Sequence, residues 1–145
     1  MVTTQPMSEI SEPPLTLDLE PGTVPPLVAV RRWAARALSD LGEDHLVAVQ
    51  LVATEILTNA HEHAGGAGQL RLWRERDPCR IRVEVDDPSP RRPELRRPDP
   101  ASPRGRGLAM VAKLTEDWGS RRRGDGGKTV WAAIDCTSYP WGRCP

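Results

Sequence analysis

Aromatic side chains are scarce in this chain of 145 residues: five Trp, one Tyr and no Phe, 4% of the total. Lys plus Arg equals Asp plus Glu at 20 each, so the formal net charge is +0. A nucleic-acid binder needs basic surface and stacking rings, and this composition argues against one. Cysteine is also sparse: Cys79, Cys136 and Cys144, odd in number and without C-x-x-C spacing. That pattern predicts neither a disulfide framework nor zinc ligation, and it fits a cytoplasmic protein with reduced thiols. No apolar run reaches the roughly 18 residues of a membrane span. The first 14 residues are polar and acidic and lack the basic start and apolar middle of a signal peptide. No internal repeat is visible.

What is present reads as one domain, long enough to bury a core without disulfides or a structural metal. Residues 1–14, rich in Ser, Thr, Glu and Pro, are expected to be a disordered tail. Residues 15–135 form the folded part, and 136–145 a short irregular tail. Leu15 to Leu19 alternates as a half-buried strand does. Thr23 is placed to cap a helix whose first turn holds Pro25 and Pro26 and which carries Leu27, Val30, Ala34, Ala35 and Leu38 inward before stopping near Gly42. Asp44 is placed to cap a second helix through Leu46, Val49, Val52, Ile56 and Ala60, ending at Gly65-Gly66.

Two antiparallel strands follow, with Leu70, Leu72 and Arg74 on one face of the first and Ile81, Val83 and Val85 on one face of the second, around an Asp77-Pro78 turn. The proline- and arginine-rich stretch 88–104 cannot be a helix or a central strand. A loop of that length in a small domain is commonly functional, a lid for example. Its arginines, like the run Arg121 to Arg123, also read simply as solvated turns. Leu108, Met110, Val111 and Leu114 have helical spacing, and Trp118-Gly119 is expected to end that helix. Arg121 to Arg123 and Lys128 to Ile134 read as the last two strands around a glycine-rich turn. The fold class is therefore α+β: a two-layer sandwich of a mixed, mostly antiparallel sheet with the helices on one face.

The chemistry concentrates in Glu55-Ile56-Leu57-Thr58-Asn59-Ala60-His61-Glu62-His63. Glu55, Asn59 and His63 are four residues apart and stack on one helix face. An amide oxygen suits a hard cation such as Mg²⁺, and a carboxylate can accept a proton. The plainer reading of the same spacing is a solvated face. Asp87 ends a strand, where it could take a hydrogen bond from an exocyclic amine such as that of adenine, or merely open the Asp-Pro turn. Gly105-Arg106-Gly107 opens a helix, where free amides and the dipole favour phosphate. Thr129 on the last strand either lines a pocket or is an ordinary β-branched strand residue.

The sequence E-I-L-T-N-A-H-E-H-A, then V-E-V-D-D-P-S-P, G-R-G-L-A-M-V, W-G and G-K-T-V-W, in that order, resembles the histidine-kinase-like ATPase domain, the Bergerat fold of DNA gyrase, sensor histidine kinases and mismatch-repair ATPases. The short form most resembles bacterial anti-sigma factors that are also serine/threonine protein kinases. The resemblance spans about residues 15–135. It implies ATP and Mg²⁺ as cofactors, with Asn59 the metal ligand and Glu55 the catalytic residue that orients or deprotonates the nucleophile. It implies Asp87 at the adenine amine and Thr129 behind it, His63 at the pocket edge, Gly105, Arg106, Gly107 and Leu108 at the phosphates, and 88–104 as the ATP lid. The implied partners are a sigma factor and an anti-anti-sigma (STAS-type) protein whose serine accepts the phosphoryl group, together with a possible homodimer. The family's Asp-x-Gly-x-Gly is here Asp87-Pro88-Ser89-Pro90, which stiffens the start of the lid. A catalytically weak or inactive nucleotide-binding module that acts only by binding its partner is the alternative.

Overall fold

The computed structural model describes residues 13–20, 22–76, 79–91 and 111–136. The expected tails (all but residues 13, 14 and 136), the Asp77-Pro78 turn, residues 92–104 of the expected lid, and Gly105 to Leu108 lie outside them. The elements run β1 (Leu15–Asp18), α1 (Leu27–Ala37), α2 (Glu43–Ala64), β2 (Gln69–Arg76), β3 (Cys79–Asp87), β4 (Asp117–Arg122) and β5 (Lys128–Asp135), with a helical turn at 111–114 before β4. One five-stranded sheet has the order β1-β2-β3-β5-β4, with every pairing antiparallel. Helix α2 packs on β3 and β5, and α1 packs on α2. This is the α+β architecture that the pattern of elements predicts.

Period-2 alternation builds the core face of the sheet. Leu70, Val85 and Val130 form one cross-strand row, and Leu72, Val83 and Ala132 the next. All six are almost fully buried. The third row is Arg74, Ile81 and Ile134, and there the buried Arg74 guanidinium donates to Asp40 Oδ1 at 2.5 Å. That contact ties the end of β2 to the connection between the helices. Above the sheet lie Val49, Val52, Ile56 and Leu57 of α2 and Val30 and Ala34 of α1. Each fully buried Val, Leu or Ile contributes about 1.5–3 kcal/mol by leaving water.

Several local expectations are corrected. Thr23 does not cap α1: its Oγ1 donates to the Glu20 carbonyl at 2.8 Å, within the preceding turn. Pro26 takes the capping position, and its carbonyl accepts the Val30 amide. Gly42 rather than Asp44 precedes α2, so Asp44 joins Glu43 inside the first turn, where acids complement the helix dipole. Trp118 and Gly119 are not a helix end but the middle of β4, paired with Ala132 and Trp131. A Cβ on Gly119 would meet the Trp131 ring at 3.2 Å, so the glycine makes room for the neighbouring indole. The Arg121–Arg123 run is no solvated turn either. Arg121 Nη1 donates to Glu84 Oε2 at 2.9 Å, and Arg123 Nη1 lies 3.1 Å from Asp86 Oδ2.

Candidate functional site

Helix α2 carries the Glu55–Asn59–His63 column. The buried Val49, Val52, Ile56 and Ala60 lie on the adjoining face of the helix, so packing leaves Glu55 and Asn59 at the half-buried edge of the core. Glu55 and Asn59 are half-buried, and His63 is exposed. Burial pushes the Glu55 carboxyl above the usual glutamate range, and the nearby Glu62 charge adds to the rise. A carboxyl raised in this way is a better proton acceptor than an ordinary glutamate. His63 Nε2 is 3.7 Å from Glu62 Oε2, an ion pair when the ring is protonated.

The helix ends where β3 ends. Gly65 takes the left-handed conformation (φ 80°), and the Gly66 amide donates to the Ala60 carbonyl at 3.0 Å. This is a glycine-terminated helix of the usual kind. A Cβ on Gly65 would lie 3.8 Å from Pro88 Cγ, so the C-terminal end of α2 meets the turn after Asp87.

Asp87 continues the face of Ile81, Val83 and Val85 towards the helices and is 2% exposed. Its Oδ1 accepts from Lys128 Nζ at 2.9 Å and from the Ser89 amide at 2.9 Å. Among the described residues no donor reaches Oδ2. Burial raises the Asp87 carboxyl above its ordinary value, against the opposing pull of Lys128. Lys128, directly opposite Asp87 on β5 and also buried, is a site residue that sequence reasoning missed. Only the β3–β5 register could have found it.

Thr129 is one residue out of phase with that face. Its Oγ1 donates to Asp86 Oδ1 at 2.7 Å, on the sheet face away from the helices. Asp86 there also takes two bonds from Arg71 at 2.7 Å. Burial alone would raise Asp86, but the hydrogen bonds from Arg71 and Thr129 and the charges of Arg71 and Arg123 hold it at about 2. The structure thus brings Glu55 and Asn59 onto one helix face and joins the end of that helix to the turn after Asp87. It sets Thr129 apart from Asp87.

The β4–β5 turn closes against this corner. Arg123 Nη2 donates to the Asp87 carbonyl at 3.3 Å, and a Cβ on Gly127 would come within 2.4 Å of that same oxygen. No residue larger than glycine fits there without backbone movement.

Helices on one face of an antiparallel sheet define a two-layer α+β sandwich whose inner helix carries Glu55 and Asn59. Residues 20–134 match the histidine kinase-like ATPase domain, and the chain belongs to that family. A search of curated proteins found no match.

Proposed function

We propose that the chain binds Mg-ATP between α2 and the end of β3 and transfers the γ-phosphoryl group to a serine of a regulatory partner, as an anti-sigma factor with serine/threonine kinase activity. The observation that carries this reading is the half-buried Glu55–Asn59 pair, one turn apart on α2, inside the span that matches the ATPase family. The donor set fits the cofactor: an amide oxygen and a carboxylate are hard ligands, and Mg²⁺ commonly takes only one or two protein ligands beside phosphates and water. Bound Mg-ATP supplies a transferable phosphoryl group with its charge neutralised by the cation. Asn59 holds the cation through its amide oxygen. Glu55 accepts the proton of the attacking hydroxyl, a task that its raised carboxyl suits. Asp87 presents Oδ2 to the adenine amine while Lys128 and the Ser89 amide fix Oδ1. Thr129 acts at one remove, by ordering Asp86 and with it the strand end that carries Asp87. His63 stands at the pocket edge, and Gly105, Arg106, Gly107 and Leu108 receive the phosphates by family likeness. The phosphoryl acceptor is a serine of a STAS-type anti-anti-sigma protein, and a sigma factor is the sequestered partner.

A second reading has its own support. The Lys128–Asp87 ion pair occupies part of the purine-reading acid, which favours a module that binds nucleotide weakly and acts by partner binding alone. Calorimetry and transfer of label from ATP to a STAS-type partner separate the two. For an active kinase, Asn59→Ala weakens Mg-ATP about tenfold or more. Glu55→Ala keeps nucleotide binding and lowers transfer about 10²–10⁴-fold. Mg-ATP binding with no labelled partner supports the second reading, and unchanged affinity in Asn59→Ala removes the metal role.

A further inference from the structure

At the opposite end of α2, three side chains from three elements converge. His45 lies in the first turn of α2, Cys79 begins β3, and Cys136 directly follows β5. One ligand-capable atom of each lies within 4.8 Å of the others. His45 Nε2 donates to the Ile134 carbonyl at 2.8 Å. Because a carbonyl only accepts, this bond puts the ring proton on Nε2 and turns the lone pair of Nδ1 towards Cys79, whose Sγ is 3.8 Å away. A metal-ligating histidine is commonly set in this way, with its second nitrogen donating to a backbone carbonyl. His45 and Cys136 are buried, and the half-buried Cys79 gives access from solvent.

We propose that His45 Nδ1 and the thiolates of Cys79 and Cys136 form a zinc site. The ligand spacing suits it: Zn–S and Zn–N bonds in a tetrahedron place N and S about 3.6 Å apart. Donor chemistry selects zinc over a hard cation, since all three donors are N or S and none is oxygen. Charge also closes, because two thiolates and Zn²⁺ sum to zero, a tolerable cluster in a buried position. Binding converts two thiols to thiolates and releases both protons to solvent. Cys136 gives up the bond from its Sγ to the Cys79 carbonyl, which is long at 3.6 Å. The site is separate from the nucleotide corner: Asn59 lies fourteen residues along the same helix, about 21 Å. Its effect would be to clamp the start of α2 to the start of β3 and the end of β5. The three proposed ligands belong to three separate elements, so no C-x-x-C spacing marks them in the sequence.

The full-length chain, reduced and stripped of metal, is titrated with zinc ions alone and with cobalt ions as a spectroscopic probe. The expected result is one zinc per chain, release of about two protons per ion, and a tetrahedral cobalt spectrum with thiolate charge-transfer bands. Cys79→Ser and Cys136→Ser each weaken zinc about 100-fold or more while keeping the wild-type circular dichroism. Half-buried Cys79 is the substitution least able to disturb folding. His45→Gln, a second check, removes one nitrogen and leaves the charge-transfer bands of two thiolates. No stoichiometric uptake, equal zinc affinity in Cys79→Ser and wild type, or an octahedral cobalt spectrum overturns the site. So does quantitative Cys79–Cys136 disulfide formation under air with no zinc uptake by the reduced protein. None of these readouts depends on ATP.

Discussion

Glu55 and Asp87 are two carboxyls that burial has lifted, yet their surroundings assign them different work. Glu55 has a like charge, Glu62, near it and, among the described residues, no cation holding it. Asp87 is held by Lys128. The first is suited to accept a proton, the second to stay fixed and accept a hydrogen bond. If Glu55 is the base, phosphoryl transfer falls as pH drops through its raised pKa, at a higher pH than an exposed glutamate would give. Glu62→Gln removes one source of the rise, so the acid limb of the rate–pH profile moves to lower pH. A limb that stays in place in Glu62→Gln would point to a different titrating group.

At the scale of elements, the decisive contact is where the β4–β5 turn meets the end of β3. Gly127 sits against the Asp87 carbonyl and Pro88 Cα, both backbone atoms that cannot swing aside. Gly127→Ala is expected to destabilise the fold by about 1–3 kcal/mol, the range for forced overpacking. Gly124, in the same turn, has open space around its Cβ position. Gly124→Ala should stay within about 0.5 kcal/mol of wild type. Urea unfolding of the two variants checks the contrast, and equal losses would mean that the turn, not the contact, sets the cost. The helices and the strands β2, β3 and β5 were legible because their apolar period is strong and local. Trp118-Gly119 was misread as a helix end because a glycine after an apolar helical run is a common stop signal. Its real constraint is the Trp131 indole on the next strand, which local sequence does not display.

At the scale of the whole molecule, the outer face of the sheet is covered, among the described residues, by ion pairs rather than by a second layer. Glu84, almost fully buried, accepts from Arg71, Trp73, Arg82 and Arg121. Arg82 also lies 4.6 Å above the Trp131 ring. Burial works against the Glu84 charge, but these donors hold its carboxyl below the ordinary range. Asp86 is held at about 2 from an unperturbed 3.8. A carboxylate lowered in the folded state contributes stability above its unfolded pKa and loses it as pH falls through the folded one. The stability carried by Asp86 should therefore be present above pH 3.8 and drain away towards about 2. Asp86→Asn should lower the urea midpoint at neutral pH and flatten its dependence on pH across that window. An unchanged slope would show that the outer ion network is not what acid attacks. No helix among the described residues is long and apolar enough to cross a membrane.

The sequence by itself determined the order and type of most elements, the helix face bearing Glu55 and Asn59, and the family to which those motifs point. Each of these depends on residues close together along the chain, where period and turn chemistry act directly. Only the tertiary structure decided that Lys128 holds Asp87, that Thr129 serves Asp86 on the other face, and that His45, Cys79 and Cys136 converge. Those pairings depend on which strands become neighbours and in what register. A shift of one residue in that register would send Lys128 and Thr129 each to the opposite face of the sheet.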